Sequence, residues 1–325
     1  MQKIIKSFIL LAFISFVLPN TAMAWGFWGH MRINRQAVFS LPPELISFYK
    51  ANIEYITEHA VDPDKRRYAI EGEAQRHFID LDHFCTYPCD DFPKDWNGAV
   101  EKFTEDSLQA YGIVPWHIQT MLIRLTKAFK ENNVQAILKN STEIGHYIAD
   151  SHVPLHTTEN YNGQMTDQKG IHGFWESRLP ELFNEDYDFF VGKAEYIPNT
   201  LAFVWENVLN AHSQVQDVLD FEKELDKTFP PDQKYSYETR NQLTIRTYSR
   251  EYSAAYHNMM KGMVEEQMRL SMKHTADLWY TCWVNAGKPQ LLDIKIEKIE
   301  EDEEPIKEGT VKSREHAKTG LDIFE

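Results

Sequence analysis

The chain has 325 residues, of which 42% are hydrophobic and 26% charged, with a formal net charge of -15 at pH 7. That acidity argues against a basic-groove binder of polyanions, because like charges repel, but not against a site whose positive charge comes from metal ions. Three cysteines match no zinc-ribbon spacing, so a thiolate metal site is not expected.

Residues 1–24 read as a secretory signal. Lys3 and Lys6 precede an apolar run from Phe8 to Leu18 that is too short to span a bilayer. Pro19 breaks the run, and Ala22-Met23-Ala24 has the small-x-small pattern of a cleavage site. Cleavage after Ala24 would make Trp25 the first residue of an exported protein, periplasmic or secreted. No later run reaches transmembrane length, so the mature chain is expected to lack an integral membrane segment.

Apolar spacing of three and four predicts helices over 31–39, 43–58, 97–110, 115–131, 133–152, 173–184, 198–228 and 237–286, the last as one helix or two. Met259, Met260, Met263, Val264, Met268, Leu270 and Met272 form a helical stripe that reads as core filling. Strand signals are nearly absent, and Asn162-Gly163 reads as a turn. Cys85 and Cys89 flank a proline-containing loop where export permits a disulfide, while Cys282 reads as a buried thiol. The expectation is an all-α chain, with one mainly helical domain over 25–288. An acidic tail follows over 289–325, expected to be disordered and containing Glu300-Glu301-Asp302-Glu303-Glu304.

Chemistry concentrates in the histidines. In H-Y-I-A-D-S-H-V-P-L-H, His146 and Asp150 are four apart and share a helix face. Pro154 should end that helix, so His156 can fold back to the same face, whereas His152 points elsewhere. In G-I-H-G-F-W-E-S, His172 and Glu176 repeat the four-residue spacing. A third cluster holds Asp62 and Asp64, followed by H-F-I-D-L-D-H from His77 to His83. Two helices each presenting a His and a carboxylate suggest a metal site in a helical core, and imidazole with carboxylate suits zinc, or more loosely iron or manganese. Asp80 is a candidate for orienting a ligand histidine. Phe174 and Trp175 read as core or cleft lining. No G-x-S-x-G elbow supports a serine hydrolase.

These motifs resemble a family that contains the bacterial zinc-dependent phospholipases C and the single-strand-specific zinc nucleases of fungi and plants. W-G-F-W-G-H is similar to the nuclease spacing from terminal Trp to first His. H-x-x-x-D-x-x-x-x-x-H is similar to both branches, and H-x-x-x-E to the phospholipase branch. The resemblance runs from Trp25 to about Gly287 and includes the closing T-A-D-L-W-Y-T-C-W.

It implies a mainly helical fold with three Zn2+ ions in a helix-lined cleft. The α-amino nitrogen and carbonyl of Trp25, with His30, would hold one ion. Asp64, His77 and His146 would hold a second, and His156, His172 and Glu176 a third, with Asp150 bridging two. Asp64 and Asp150 are expected to work in catalysis. Asp62 is the alternative to Asp64; Pro63 makes Asp62 a plausible helix N-cap, which favours Asp64 as ligand.

The implied activity is phosphodiester hydrolysis by a hydroxide held between metal ions. The substrate would be phospholipid, or single-stranded DNA or RNA cleaved to 5'-phosphate ends, with Tyr147, Tyr161 or Phe174 as candidate stacking rings. A non-catalytic zinc-binding protein is the remaining alternative. No protein partner is inferred.

Overall fold

The computed structural model describes residues 26–240 and 243–291. The signal segment, Trp25, His316 and all of the acidic run lie outside the described residues. Helices α1 (Gly26–Ala37), α2 (Pro43–Ala51), α3 (Ile53–Glu58) and α4 (Asp62–Arg66) come first. Short α5 (Leu81–Phe84), α6 (Trp96–Phe103) and α7 (Glu105–Tyr111) lead to two longer helices, α8 (Val114–Lys130) and α9 (Val134–Asp150). Next come α10 (Ile171–Gly173), a π-helical turn (Phe174–Arg178) and α11 (Leu179–Phe183), then α12 (Thr200–Ser213) and α13 (Val215–Thr228). An antiparallel hairpin, β1 (Tyr235–Arg240) and β2 (Leu243–Tyr248), precedes α14 (Arg250–Met259) and α15 (Met263–Asn285).

The fold is mainly helical, as expected, but several long helices are cut, each by a local cause. Asn52, at φ -114° and ψ 20°, divides 43–58. Thr104 takes φ 70° and its hydroxyl accepts from Ser107 N, so it ends α6 and caps α7. Gln214 divides 198–228. The largest correction is at 237–286, whose first part is β1 and β2 rather than helix. Y-S-Y-E-T-R and L-T-I-R-T-Y are rich in Tyr, Thr and Ile with polar residues between them, which is strand chemistry. Tyr235 pairs with Tyr248 and Arg240 with Leu243.

The hairpin matters because of what its base grips. Tyr248 stacks on Phe174 with ring centroids 3.8 Å apart. Arg178 donates from Nη1 to Glu238 Oε2 at 2.9 Å and from Nη2 to the Tyr248 carbonyl at 3.0 Å. The π turn is thereby fastened at both its first and last residues.

Two apolar clusters form the interior. One holds Tyr49, Ile144, Tyr147, Ile148 and Trp279; the other holds Ile33, Ala149, Val153, Phe174, Trp175, Tyr252, Met268 and Met272. The buried members of the methionine stripe therefore fill core, and Phe174 and Trp175 are core as well. Helix α9 contributes to both clusters, so its last turn runs along the boundary between them. Cys85 and Cys89 form a disulfide, and Cys282 is a buried free thiol.

At Gly145 α9 comes close to Asn34 of α1. A Cβ there would lie 2.0 Å from Asn34 Oδ1, and Asn34 is itself fixed by donating to the Thr142 carbonyl at 3.0 Å. Gly145→Ala must push the two helices apart and is expected to cost about 1–3 kcal/mol. Urea unfolding of the metal-free variant against the wild type measures it.

Candidate metal centre

Helix α9 brings His146 and Asp150 onto one face at its buried end. The His146 Nδ1–H donates to the Ala60 carbonyl at 2.8 Å, which leaves Nε2 to face inward. After Pro154 the chain turns in a 3-10 helix (Pro154–Thr157), and the His156 Nδ1–H donates to the His77 carbonyl at 2.6 Å. That turn folds His156 back as expected, with Nδ1 3.6 Å from Asp150 Oδ1 and Nε2 3.5 Å from Glu176 Oε2. His77 is oriented the other way: its Nδ1 points inward, 2.9 Å from Asp150 Oδ2 and 3.1 Å from His146 Nε2.

The remaining candidates arrive from other elements. His30 on α1 stacks on His146 at 3.7 Å, with Nε2 3.5 Å from Asp150 Oδ1. Asp64 on α4 is 1% exposed, with Oδ1 3.7 Å from His146 Nε2 and 3.8 Å from His77 Nδ1. His172 Nε2 lies 2.9 Å from Glu176 Oε2. Three sets of ligating atoms converge: His30, Asp64 and His146; His77, His146 and Asp150; His156, His172 and Glu176. Asp150 stands at their junction. His146 belongs to two sets, so the grouping differs from the implied one, in which His30 paired with Trp25.

Asp62 is not part of this. It is the first residue of α4 rather than an N-cap, and its carboxylate meets His59 Nδ1 at 2.6 Å and Lys65 Nζ at 2.7 Å. Tyr147 and Phe174 are also unavailable as stacking platforms, being 0% and 2% exposed. Tyr161 stands beside His172, with ring centroids 5.9 Å apart. His152 is turned to Gln267 and His274. Asp80 is fully buried at the start of α5.

The residues fit divalent metal. Both nitrogens of His30, both oxygens of Asp64, Asp150 Oδ1, His156 Nε2, His172 Nε2 and Glu176 Oε2 are buried without a hydrogen-bond partner. Carboxylates taken out of water without donors are costly, and a cation among them removes that cost. Nitrogen and oxygen ligands without thiolate suit zinc.

The electrostatics point the same way. Burial opposes ionisation of Asp150, but His146 and His156 beside it hold its carboxyl well below the usual range. Burial likewise opposes ionisation of Glu176, and His172 and His156 bring it to about 2. Burial would lower His146, but Asp150 and Asp64 raise it to about 9. Its stacked neighbour His30 is pushed down by burial and by His146.

The metal-free protein is therefore expected to carry a proton at His146 at pH 7. Zinc added in weak buffer should release it, and zinc affinity should rise with pH up to about 9. Because the folded value lies above the unfolded one, near 6.5, this group's stabilisation is complete below pH 6.5. It is lost as pH rises through 9 and is on the order of 3 kcal/mol. Proton release by pH-stat, and urea midpoints of metal-free protein at pH 6.5 and 9.5, check both statements.

Glu73 is a site residue that the sequence motifs do not flag. It is fully buried four residues before His77, with Oε1 3.7 Å from His77 Nε2. Burial opposes its ionisation, and His77 and Arg66 more than offset that, holding it well below the usual carboxylate range. The Glu-x-x-x-His spacing is present in E-A-Q-R-H, but as a carboxylate preceding its histidine rather than following it.

No protein-family model matches the chain, and no curated protein matches it. Among solved structures, an alpha-toxin of Clostridium perfringens from an avian strain is 14% identical with a TM-score of 0.48, over 83% of this chain and 65% of the toxin chain. The alpha toxin of Clostridium absonum is 11% identical with a TM-score of 0.46, over 84% of this chain and 66% of the other. This chain thus matches slightly less than two thirds of the length of either toxin. The fold and the site stand on the helices and side chains themselves.

Proposed function

We propose that the chain is an exported phosphodiester hydrolase dependent on three Zn2+ ions and phospholipase C-like in acting on phospholipid. The observation that carries this reading is the convergence of three buried His and carboxylate sets on Asp150, with their ligating atoms unused by hydrogen bonds. Zinc bound there would supply Lewis acidity and a source of hydroxide near neutral pH. Asp64, Asp150 and Glu176 offset only half the charge of three divalent ions, so a surplus remains to attract a phosphodiester anion. Arg67 adds to it: its Nε is buried without a hydrogen-bond partner, and its charge is felt at His156. No serine or cysteine nucleophile is required.

His172 is the most open of the gathered side chains, at 16% exposure. The chain between His156 and His172 also carries Met165, 69% exposed, an apolar side chain suited to an acyl-bearing substrate. Tyr161 on the same loop favours a second reading, a nuclease that stacks a base there. Among the described residues no helix is long and apolar enough to cross a membrane.

The test offers phosphatidylcholine vesicles, denatured DNA and RNA side by side to zinc-loaded protein. Release of phosphocholine alone supports the first reading, and 5'-phosphate oligonucleotides the second. Turnover of none, with three equivalents of zinc bound, rejects both and leaves a zinc-binding protein.

A further inference from the structure

Glu73 touches more than His77. Its Oε2 accepts from Arg76 Nη1 at 2.7 Å and pairs with Arg66 Nε at 3.2 Å. Its Oε1 accepts from the Tyr147 hydroxyl, which in turn accepts from Arg66 Nη2 at 3.0 Å. Arg66 also donates from Nη1 to Glu143 Oε1 at 2.7 Å. Each partner sits on a segment that carries a proposed ligand. Arg66 is on α4 with Asp64, His77 closes the 3-10 turn Ala74–His77, and Tyr147 and Glu143 are on α9 with His146 and Asp150.

We infer that Glu73 is the positioning residue of the metal centre, a single carboxylate that sets the orientation of His77 and ties together the three segments bearing Asp64, His77, His146 and Asp150. The inference rests on the reading of those four as metal ligands. His146 and His156 both spend Nδ1–H on a backbone carbonyl and present Nε2. His77 presents Nδ1, and the group its Nε2 faces is Glu73. When Nδ1 gives its lone pair to a metal, the ring proton must sit on Nε2, toward that carboxylate. A carboxylate behind a ligating imidazole fixes the tautomer and makes the ring a stronger donor. The two arginines and the Tyr147 hydroxyl hold the Glu73 carboxylate in place, 3.7 Å from a His77 Nε2 that has no hydrogen-bond partner, and a proton there would find its acceptor in Glu73.

Glu73→Gln keeps the shape and removes the charge. Zinc titration against a competing chelator, on whole wild-type and variant protein, should show affinity about 10- to 100-fold weaker at the ions served by His77. The ion held by His156, His172 and Glu176 should be unchanged. Equal affinity at every site, even with a lower urea midpoint for the metal-free variant, would reduce Glu73 to a structural ion-pair partner and overturn the inference. If Glu73→Gln does not fold, Tyr147→Phe decides. It leaves the arginine pairs in place and loosens one bond to Glu73, so affinity at the same ions should fall about fivefold, and no change overturns the inference. A wild-type protein that takes up no zinc would reject the metal centre itself, which is a different outcome from an unchanged variant.

Discussion

Asp150→Asn should empty most of the metal centre and lower phosphodiester turnover by roughly 100- to 10,000-fold, the equilibrium equivalent of the 3–5 kcal/mol seen when one partner of a buried charged group is removed. The substitution keeps the side-chain volume, so the end of α9 need not repack. What changes is the charge and one lone-pair position. Asp150 lies 2.9 Å from His77, 3.3 Å from His146, 3.5 Å from His30 and 3.6 Å from His156. An amide nitrogen in that position would point hydrogens at lone pairs meant for metal. Metal analysis of the purified variant, alongside turnover, measures the loss. Three bound equivalents with wild-type activity would show that Asp150 is not shared between ions.

On the ligand set that the family resemblance implies, retaining one residue before Trp25 should weaken zinc binding beside His30, and activity with it. An α-amine has a lone pair for zinc, whereas the nitrogen of an internal peptide bond does not. The start of the described chain lies close to the other ligands. Gly26 has φ 43°, and a Cβ on it would meet Ser177 Oγ at 2.9 Å, one residue from Glu176. One turn later His30 reaches Asp150. Zinc stoichiometry of protein beginning at Trp25, compared with protein carrying one extra alanine, decides the matter. Equal zinc content and activity would remove the terminal amine from the ligand set. The ion at His156, His172 and Glu176 should be indifferent to the extension.

Much of the site is legible in the sequence because helices repeat. His146 with Asp150, and His172 with Glu176, follow from four-residue spacing alone, and Pro154 explains why His156 turns back. What stays hidden in the sequence depends on context. Pro63 only tilts the choice between Asp62 and Asp64 there; burial of Asp64 and the Lys65 and His59 partners of Asp62 separate them. Tyr147 and Phe174 remain candidate stacking rings until Glu73 and Tyr248 are seen against them. The hairpin escapes because the strong helix period of 263–285 extends readily back over a short stretch of strand chemistry.

The boundary between the two apolar clusters has a consequence for how the molecule comes apart. His146 lies next to Tyr147 of the first cluster, while His156, His172 and Glu176 are chain neighbours of Leu155, Ile171 and Trp175 of the second. Metal held by both groups would add a tie between two cores that α1, α9 and α15 already join. Binding to the native state alone stabilises it by about 4 kcal/mol at a thousandfold excess over Kd, and here that energy is held in the joint. Loaded protein should therefore melt in one cooperative transition. Chelation should lower the temperature of that transition without dividing it, because α1, α9 and α15 still hold the two cores together.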